Sequence, residues 1–428
     1  MSKPTYDQVF ESLVKSAYRG ELDAKMNQIR EAGDEITAKY ALYASGGGDP
    51  DTVVFKVRDC KAACGKDHSD CEASCLFNAI VRDMEGNVVV RYNKCTGCGQ
   101  CVEVCKHYAL VDRKEFVPVI QLLKDRRVPV FAAVAPAYIG QFGPNVTPGK
   151  LRAAFKNLGF YGMVEVALFA DMLTLKEALE FDRHVTTEKD FLLTSCCCPI
   201  WVSMVRKVYQ DLVPHVSPSV SPMVAAGRGI KRLHPGAKVV FVGPCIAKKA
   251  EAKEPDVKDA IDAVLTFQEV SQIFKAVGID PETLEEDPSE HSSKAGRIYG
   301  RTGGVSQAVT EVFERLRPDR TIQLRAVQAD GIPECKRLLT DILAGLTEAN
   351  FMEGMGCRGG CVGGPKAILS ARDGTTNVNE YGDEALYSAP VDNGFVLELL
   401  SQLGIQYIEE FLDGEKAQLF TRNFSTPQ

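Results

Sequence analysis

The sequence predicts an α/β protein with largely parallel sheets, preceded by a small cysteine-rich α+β domain and a short helical segment. Three observations support this prediction. From about residue 118 onward, short apolar runs alternate with helical patterns, which is typical of parallel strands joined by helices. Eight of the 15 cysteines lie between Cys60 and Cys105, together with short strand patterns. The first 50 residues repeat apolar side chains at helical spacing.

Composition and charge exclude several classes of protein. The chain has 428 residues, of which 45% are apolar and 25% charged, which excludes a mainly disordered protein. The net charge of −7 argues against a general nucleic-acid binder. The longest apolar stretch, residues 128–142, contains two prolines and is shorter than a membrane span requires. The N-terminus has no apolar signal region, so we expect a cytoplasmic protein that binds neither nucleic acid nor membrane.

The N-terminal helical segment is predicted to cover residues 1–50. Val9, Leu13 and Ala17 recur at roughly helical spacing, with charged residues between them. The glycine-rich stretch 45–50 then predicts a flexible boundary.

The cysteine-rich domain is predicted to cover residues 51–117. A short strand at 52–57 leads into the first cysteines. The apolar runs 79–81 and 88–90 flank the turn sequence Met-Glu-Gly-Asn at 84–87, which predicts a β-hairpin.

The remaining residues, 118–428, are predicted to form the α/β domain. Buried strands are expected at the short apolar runs 128–134, 163–168, 191–194, 238–242 and 321–327. Helical patterns lie between them, for example at 174–181 and 270–276.

The cysteines form clusters typical of metal ligands. In a cytoplasmic chain, 15 cysteines argue against a disulfide scaffold. The second group, Cys95-x2-Cys98-x2-Cys101-x3-Cys105, has the spacing of bacterial ferredoxins, in which three close cysteines hold one 4Fe–4S cluster and the fourth binds another. Lys106 stands where ferredoxins have proline.

The first group has looser spacing, Cys60-x3-Cys64-x6-Cys71-x3-Cys75, with His68 in its loop. We interpret His68 as a surface residue. The ferredoxin rule pairs three cysteines of each group with the last cysteine of the other. One cluster would then be held by Cys60, Cys64, Cys71 and Cys105, and the other by Cys75, Cys95, Cys98 and Cys101. Two structural zinc sites are the alternative, because paired cysteines at this spacing also bind zinc.

Three more cysteine motifs are far apart in the sequence, and all three lie at likely strand ends, the first two directly after predicted strands. They are Thr-Ser-Cys-Cys-Cys-Pro-Ile-Trp at 194–201, Val-Gly-Pro-Cys-Ile-Ala-Lys-Lys-Ala-Glu at 242–251, and Glu-Gly-Met-Gly-Cys-Arg-Gly-Gly-Cys-Val-Gly-Gly-Pro at 353–365. Strand ends are where α/β proteins build their sites. Each motif alone could be a buried cysteine in a tight turn, but together they supply enough thiolates for a cubane. Cys335 has no motif, and we expect an ordinary buried cysteine.

In this order, and after a two-cluster segment, the three motifs resemble the signatures of the iron–iron hydrogenases. The resemblance covers roughly residues 51–428 and implies a catalytic domain of two lobes with mostly parallel sheets. It implies reversible interconversion of H2 with two protons and two electrons at an H-cluster. This cofactor is a 4Fe–4S cubane that shares a cysteine thiolate with a two-iron unit carrying CO, CN⁻ and an azadithiolate. The triple cysteine and the Met-Gly-Cys form of the third motif resemble the branch called group B.

Residue by residue, the resemblance makes Cys198, Cys245 and Cys357 cubane ligands. Cys361 matches the thiolate shared with the two-iron unit, and Cys197 matches the thiol that relays protons. The family motif has two cysteines before the proline, whereas this chain has three. If the additional residue lies on the other side, Cys197 would be the ligand and Cys196 the relay.

The resemblance also assigns residues around the two-iron unit and along a proton channel. Lys248 matches a lysine that hydrogen-bonds cyanide, and Met355 a methionine that packs on the two-iron unit. Glu177, Glu180 and Ser217 match the channel, with the path Glu180, Ser217, Glu177, a water and Cys197. Without the resemblance, the two glutamates would be interpreted as a solvated helix face.

Four positions depart from the family pattern. His184 replaces an arginine at the channel mouth, and Ala137, Met223 and Gly243 replace a serine, a glutamine and a methionine near the two-iron unit. The substitutions near the two-iron unit are expected to alter catalytic bias and rate.

The resemblance implies a ferredoxin-like electron carrier and maturases as partners. Two alternatives remain open: a hydrogen sensor with low turnover, and an iron–sulfur carrier or assembly protein that uses the same cysteine pockets. A subunit of an electron-bifurcating complex is a further possibility, although such subunits commonly carry additional iron–sulfur domains.

Overall fold

The computed structural model describes residues 3–59, 70–289, 291–412 and 414–424. Cys60, Cys64 and His68 therefore lie outside the described residues.

The predicted N-terminal segment consists of helices that pack on the rest of the molecule. They are α1 (Tyr6–Arg19), α2 (Leu22–Glu31) and α3 (Glu35–Ala44). Thr5 begins α1 with a capping box, because its side chain accepts from the Gln8 N–H while Gln8 caps the Thr5 N–H. The apolar face of α1 is buried, and the Tyr6 hydroxyl donates to the carbonyl of Asp112 in the next domain. This segment is thereby tied to the cysteine-rich domain.

The cysteine-rich domain has mixed α and β structure around a core of its own. Its elements are β1 (Val54–Lys56), α4 (Asp70–Ser74), β2 (Ile80–Arg82), β3 (Val88–Val90), α5 (Gln100–Glu103) and β4 (Leu110–Asp112). β1 pairs antiparallel with β4, and β2 with β3, so the predicted hairpin is confirmed. The core includes Val54, Val88 and Leu110, together with Ile246 from the α/β domain.

The first lobe of the α/β domain is a parallel sheet in the order β6-β5-β8-β9. Its strands are β5 (Val130–Val134), β6 (Gly162–Glu165), β8 (Lys238–Gly243) and β9 (Ala263–Thr266). Its helices are α6 (Phe116–Lys124), α7 (Pro148–Leu158), α10 (Pro222–Leu233), α11 (Ala247–Glu251) and α12 (Phe267–Val277). All five residues of β5 are buried, as expected for the central strand of a covered parallel sheet.

The second lobe is a smaller parallel sheet in the order β10-β11-β7. Its strands are β7 (Leu192–Leu193), β10 (Ala326–Asp330) and β11 (Phe351–Met355). The remaining helices are α8 (Ala167–His184), α9 (Pro199–Val208), α13 (Lys294–Arg297), α14 (Gly304–Leu316), α15 (Ile332–Leu343), α16 (Ala371–Asp383) and α17 (Gly394–Gln402). The predicted arrangement of parallel sheets with helices is therefore confirmed.

Helix α8 is buried on every side. Fifteen of its 18 residues are buried, including four charged ones. None of the described helices combines the length and the apolarity needed to cross a bilayer.

Some strands differ from the sequence prediction. β10 begins at Ala326 instead of residue 321, because its partner β11 begins at Phe351, which lies opposite Ala326. β9 and β11 were not predicted. β11 contains Glu353 and Gly354, which do not fit a strand pattern, but Glu353 accepts from the N–H groups of Gly303 and Ser306 at the start of α14. A tertiary contact therefore explains the buried carboxylate in this strand.

Candidate metal centre

The three predicted motifs lie at the carboxyl ends of strands from both sheets. The triple cysteine follows β7, Cys245 follows β8, and Cys357 and Cys361 follow β11. Because parallel strands present their carboxyl ends at one edge, each lobe places its motifs at one edge of its own sheet.

The thiols of Cys198, Cys245, Cys357 and Cys361 lie close together. Burial, followed by the neighbouring thiols of Cys245, Cys198 and Cys361, raises the pKa of Cys357 well above its usual value. Burial and the Cys198 and Cys361 thiols raise the pKa of Cys245 to about 12. Burial and Cys198 raise the pKa of Cys361 to about 11. The structure thus brings together the four residues that the sequence predicts as ligands.

Local sequence explains this convergence. Cys198 precedes Pro199, which begins α9, and the Gly356 N–H donates to the Cys198 Sγ at 3.3 Å. Gly354 is packed directly on Trp201, since a Cβ at this glycine would lie 2.1 Å from the indole ring. The Trp201 indole N–H donates to the carbonyl of Thr194 at 2.9 Å. The glycines of the third motif therefore let β11 approach the first motif closely.

This donor set fits an iron–sulfur cluster. Thiolates are the ligands of 4Fe–4S cubanes, one for each iron. Among the described side chains, no three His, Cys, Asp or Glu residues converge on a position for a single metal ion. A cubane has its irons at separate corners, so its ligands are spread more widely than those of one ion.

The three consecutive cysteines point to different neighbours. Cys196 is fully buried, and its Sγ donates to Glu177 Oε1 at 3.1 Å and to the Val220 carbonyl at 3.4 Å. The pKa of Cys197 is raised by burial, then by Cys361 and Cys198, and is lowered by Lys248. Cys197 thus lies beside the third motif, whereas Cys196 contacts the predicted channel.

Lys248 is buried and faces the thiols. Its ammonium lowers the pKa of Cys197, Cys245 and Cys361. It also donates to Glu251 Oε2 at 2.6 Å, one turn further along α11. Lys248 is therefore not a solvated surface charge. Met355 is 1% exposed and ends β11 two residues before Cys357.

The predicted channel residues are buried and form hydrogen bonds. The pKa of Glu177 is raised to about 7, mainly by burial and in part by the nearby charge of Glu180. Thr194 donates to the other oxygen of Glu177, Oε2. Glu180 Oε2 accepts from the hydroxyl of Ser217 and, at 3.2 Å, from that of Ser219. The interpretation of the glutamates as a solvated face is therefore wrong.

Three channel neighbours had no role in the sequence analysis, namely Thr194, Ser219 and Lys176, and Cys196 entered it only as the relay of the alternative register. The ammonium of Lys176 forms a buried ion pair with Glu180 Oε1. Its position four residues before Glu180 is a recognisable signal for such a pair.

The cysteine-rich domain brings together the four cysteines predicted to hold one cluster. Cys75, Cys95, Cys98 and Cys101 line one small cavity. Cys98 is close enough to Cys357 to raise the pKa of that thiol, so this cavity adjoins the four-thiol site. The other predicted cluster has Cys71 and Cys105 in the described part, whereas Cys60 and Cys64 fall outside it.

The remaining predicted positions are placed as follows. Ala137, Met223 and Gly243 are buried, whereas His184 is exposed at the end of α8. Cys335 is buried, as expected, and its Sγ donates to the carbonyl of Met355 at 3.4 Å.

Comparisons with known proteins agree with this geometry. Residues 128–365 match the family described as the iron-only hydrogenase large subunit, C-terminal domain, and residues 88–111 match a 4Fe–4S binding domain. The chain is 31% identical over 321 residues to a periplasmic iron hydrogenase large subunit of Nitratidesulfovibrio vulgaris, covering 62% of this chain and 76% of the relative. It spans about half the length of other hydrogenases that it matches.

Iron–sulfur assembly proteins are also similar. The chain is 26% identical over 276 residues to cytosolic iron–sulfur assembly component 3 of Bos taurus, covering 52% of this chain and 58% of the relative. A variant of hydrogenase HydA1 from Chlamydomonas reinhardtii shares the fold, with a TM-score of 0.58 at 24% identity over 71% of this chain and 98% of that chain.

Because the family match spans more than half of the sequence, the chain belongs to the iron-only hydrogenase large subunit family, with an iron–sulfur binding domain in front of the family domain.

Proposed function

We propose that this protein is a reversible iron–iron hydrogenase of the group B type, which interconverts H2 with two protons and two electrons. The observation that carries this proposal is the gathering of four cysteine thiols beside a buried lysine and a buried carboxylate. A structural cluster needs the thiols alone. A catalytic one also needs a cation beside its anionic ligands and a group that moves protons.

The proposed H-cluster would be held by this chain's thiolates. Cys198, Cys245 and Cys357 would bind the cubane, and Cys361 would be shared with the two-iron unit. Lys248 would donate to a cyanide ligand, with Glu251 fixing the direction of its ammonium, and Met355 would pack beside it. When bound, this cofactor supplies the heterolytic cleavage of H2, while the protein supplies position and electrostatics.

Protons would move through side chains of α8 and its neighbours. Cys197 would take protons from the centre and pass them towards Glu177 through a water. Glu177 suits this task because its pKa of about 7 lets the carboxyl both give and accept a proton near neutral pH. Ser217 and Glu180 would complete the route outward.

Electrons would leave through the cysteine-rich domain. Cys98 lies beside Cys357, so the cluster held by Cys75, Cys95, Cys98 and Cys101 would be next to the cubane. A second 4Fe–4S cluster, held by Cys60, Cys64, Cys71 and Cys105, would pass electrons to a ferredoxin-like carrier. We propose a cytoplasmic location and assembly of the two-iron unit by separate maturases.

An iron–sulfur carrier or assembly protein is the second candidate, favoured by the similarity to the bovine assembly component. Such a protein needs the cysteines but has no use for Glu177. Activity measurements therefore separate the two functions.

The test is H2 evolution from a reduced viologen dye by anaerobically matured protein. We expect turnover in the native protein and a loss of about 100-fold or more in Glu177→Gln, the usual range for a general acid–base group. Glu380→Gln, on the outer helix α16, is the control. No turnover in native protein with full iron content would instead favour the carrier.

A further inference from the structure

Lys176 is a buried cation inside the predicted proton channel. It lies in α8, and its side chain is 1% exposed. Its ammonium pairs with Glu180 Oε1 one turn further along the helix and donates to the Ser219 hydroxyl at 3.0 Å. Neither the motifs nor the proposed path uses this lysine.

The ion pair sits within a closed group of hydrogen bonds. Oε1 of Glu180 forms the ion pair with the Lys176 ammonium, while Oε2 accepts hydrogen bonds from the hydroxyls of Ser217 and Ser219. The Ser219 N–H donates to the Ser217 hydroxyl oxygen at 3.3 Å, which links the two serines. All of these residues are essentially inaccessible to water. The orientation of the Glu180 carboxylate is therefore fixed by three side-chain donors.

The balance of charge around Glu180 depends on Lys176. The other titratable groups that act on this part of the channel include Glu177, on the same helix, the Cys196 thiol and, beside Glu177, the Tyr299 hydroxyl. None of these three supplies positive charge. A carboxylate buried with only neutral donors is destabilised in its ionised form, whereas an adjacent ammonium stabilises that form.

We propose that Lys176 is a positioning residue that keeps Glu180 ionised and turned toward Ser217, and thereby sets the pH dependence of proton transfer. This inference rests on the proposed hydrogenase function. With the ammonium in place, Glu180 carries a proton only transiently, as the proton passes between Ser217 and the outer end of the channel. Without it, the carboxyl is buried with neutral donors only, which favours its protonated form, and a hydroxyl rather than a carboxylate then faces the serines.

The first test needs no two-iron unit and no turnover. Infrared spectra of the full chain with its 4Fe–4S clusters report the C=O stretch of protonated carboxyl groups. At pH 7, we expect this band to gain intensity in Lys176→Met, and the gain to disappear in Lys176→Met/Glu180→Gln. Lys176→Arg keeps a cation and is expected to show no gain. If Lys176→Met does not fold, Lys176→Gln serves the same purpose.

The second test is the pH profile of H2 evolution by matured protein. In native protein, fewer carriers hold a proton as pH rises, so evolution falls. In Lys176→Met, Glu180 loses the cation that stabilises its ionised form, so its carboxyl keeps a proton to higher pH than in native protein. We therefore expect the ratio of the rate at pH 8 to that at pH 6 to rise by about fivefold or more.

The outcomes separate the two proposals. An unchanged carboxyl band in Lys176→Met, or a gain that persists when Glu180 is also replaced, would overturn the role of Lys176 even if turnover is normal. An unchanged pH ratio would overturn it as well. Absence of turnover in native protein, with the band behaving as expected, would overturn the hydrogenase function and leave the ionised Glu180–Lys176 pair supported.

Discussion

Cys196, Cys197 and Cys198 are consecutive, yet their thiols contact different neighbours. The resemblance to the hydrogenase motif predicted that one of these residues binds the cubane and one relays protons, but the additional cysteine left two registers open. The structure adds a backbone feature that spacing cannot reveal. Ser195 has a φ of +62°, which is rare for a residue other than glycine, and turns the chain just before the cysteines. Cys196 then meets Glu177, while Cys197 lies near Cys361.

Single replacements of these thiols distinguish the two registers. We expect Cys197→Ala to lower H2 turnover by about 100-fold or more while the iron content stays native, because the relay is lost but the cubane ligands remain. Cys196→Ala should lower H2 turnover by only about tenfold, because Glu177 loses the thiol but keeps its hydrogen bond from Thr194. Both are measured with a viologen assay and iron analysis.

Cys335→Ala is the matched control, because Cys335 is also a buried thiol that donates to a backbone carbonyl. Loss of cubane iron in Cys197→Ala, with loss of turnover in Cys196→Ala, would instead support the other register, in which Cys197 is the ligand.

At the scale of elements, β11 and α8 show where local patterns mislead. The sequence correctly predicted strands before the first and second motifs, whereas for the third it indicated a strand end without placing the strand. Glu353 and Gly354 in β11 are explained by contacts with α14 and Trp201, which are distant in sequence. In the same way, Lys176, Glu177 and Glu180 give α8 the pattern of a solvated helix, although tertiary contacts pair them inside the protein.

Because β11 packs closely on Trp201, adding one methyl group at Gly354 is expected to lower stability strongly. Gly354→Ala would place a Cβ 2.1 Å from the indole ring, so the ring or the strand must move. We expect a loss of about 1–3 kcal/mol in the free energy of unfolding and reduced cubane content. Thermal unfolding under anaerobic conditions and iron analysis measure both.

Gly394→Ala is the control for this prediction, because a Cβ at Gly394 meets nothing within 4 Å. Native stability and iron content in Gly354→Ala would contradict the proposed packing of the third motif on the first.

Asp171 of α8 predicts a pH dependence of stability. It accepts from the N–H groups of Ser293 and Gly296 at 2.7 and 2.8 Å, and burial is the largest cause that raises its pKa to about 7. In the unfolded chain the carboxyl titrates near pH 4. The folded state therefore binds the extra proton between these values, so this stabilisation is complete below about pH 4 and is lost as pH rises to 7.

Between pH 5 and pH 8, this single group is expected to lower the free energy of unfolding by on the order of 2–3 kcal/mol. Asp171→Asn should be less stable overall, because the amide NH2 cannot accept a hydrogen bond and one of the two backbone N–H groups loses its acceptor. The stability of this variant should change less with pH. Urea midpoints at the two pH values measure this difference. An equally steep decline in the variant would show that other groups cause the pH dependence.

At the scale of the whole molecule, a buried ion network joins the cysteine-rich domain to the first lobe. The ammonium of Lys249, which is fully buried, lies 3.3 Å from Asp112 Oδ2 and 3.0 Å from both oxygens of Glu269. Breaking a buried pair of this kind leaves an uncompensated charge, so the two domains are held in a fixed arrangement. This arrangement keeps Cys98 beside Cys357. The sequence predicted the clusters, but their adjacency depends on contacts between domains.

The most direct test of the hydrogenase function is infrared spectroscopy of protein matured anaerobically with its two-iron cofactor. Four gathered thiols with a buried lysine beside them predict sharp CO and CN⁻ bands, and the function predicts that these bands shift when H2 is added. Lys248→Ala should move the CN⁻ bands, because a charge-assisted hydrogen bond is removed. Two results would contradict the proposal and favour an iron–sulfur carrier. One is full cubane content without CO or CN⁻ bands, and the other is bands that do not shift when H2 is added.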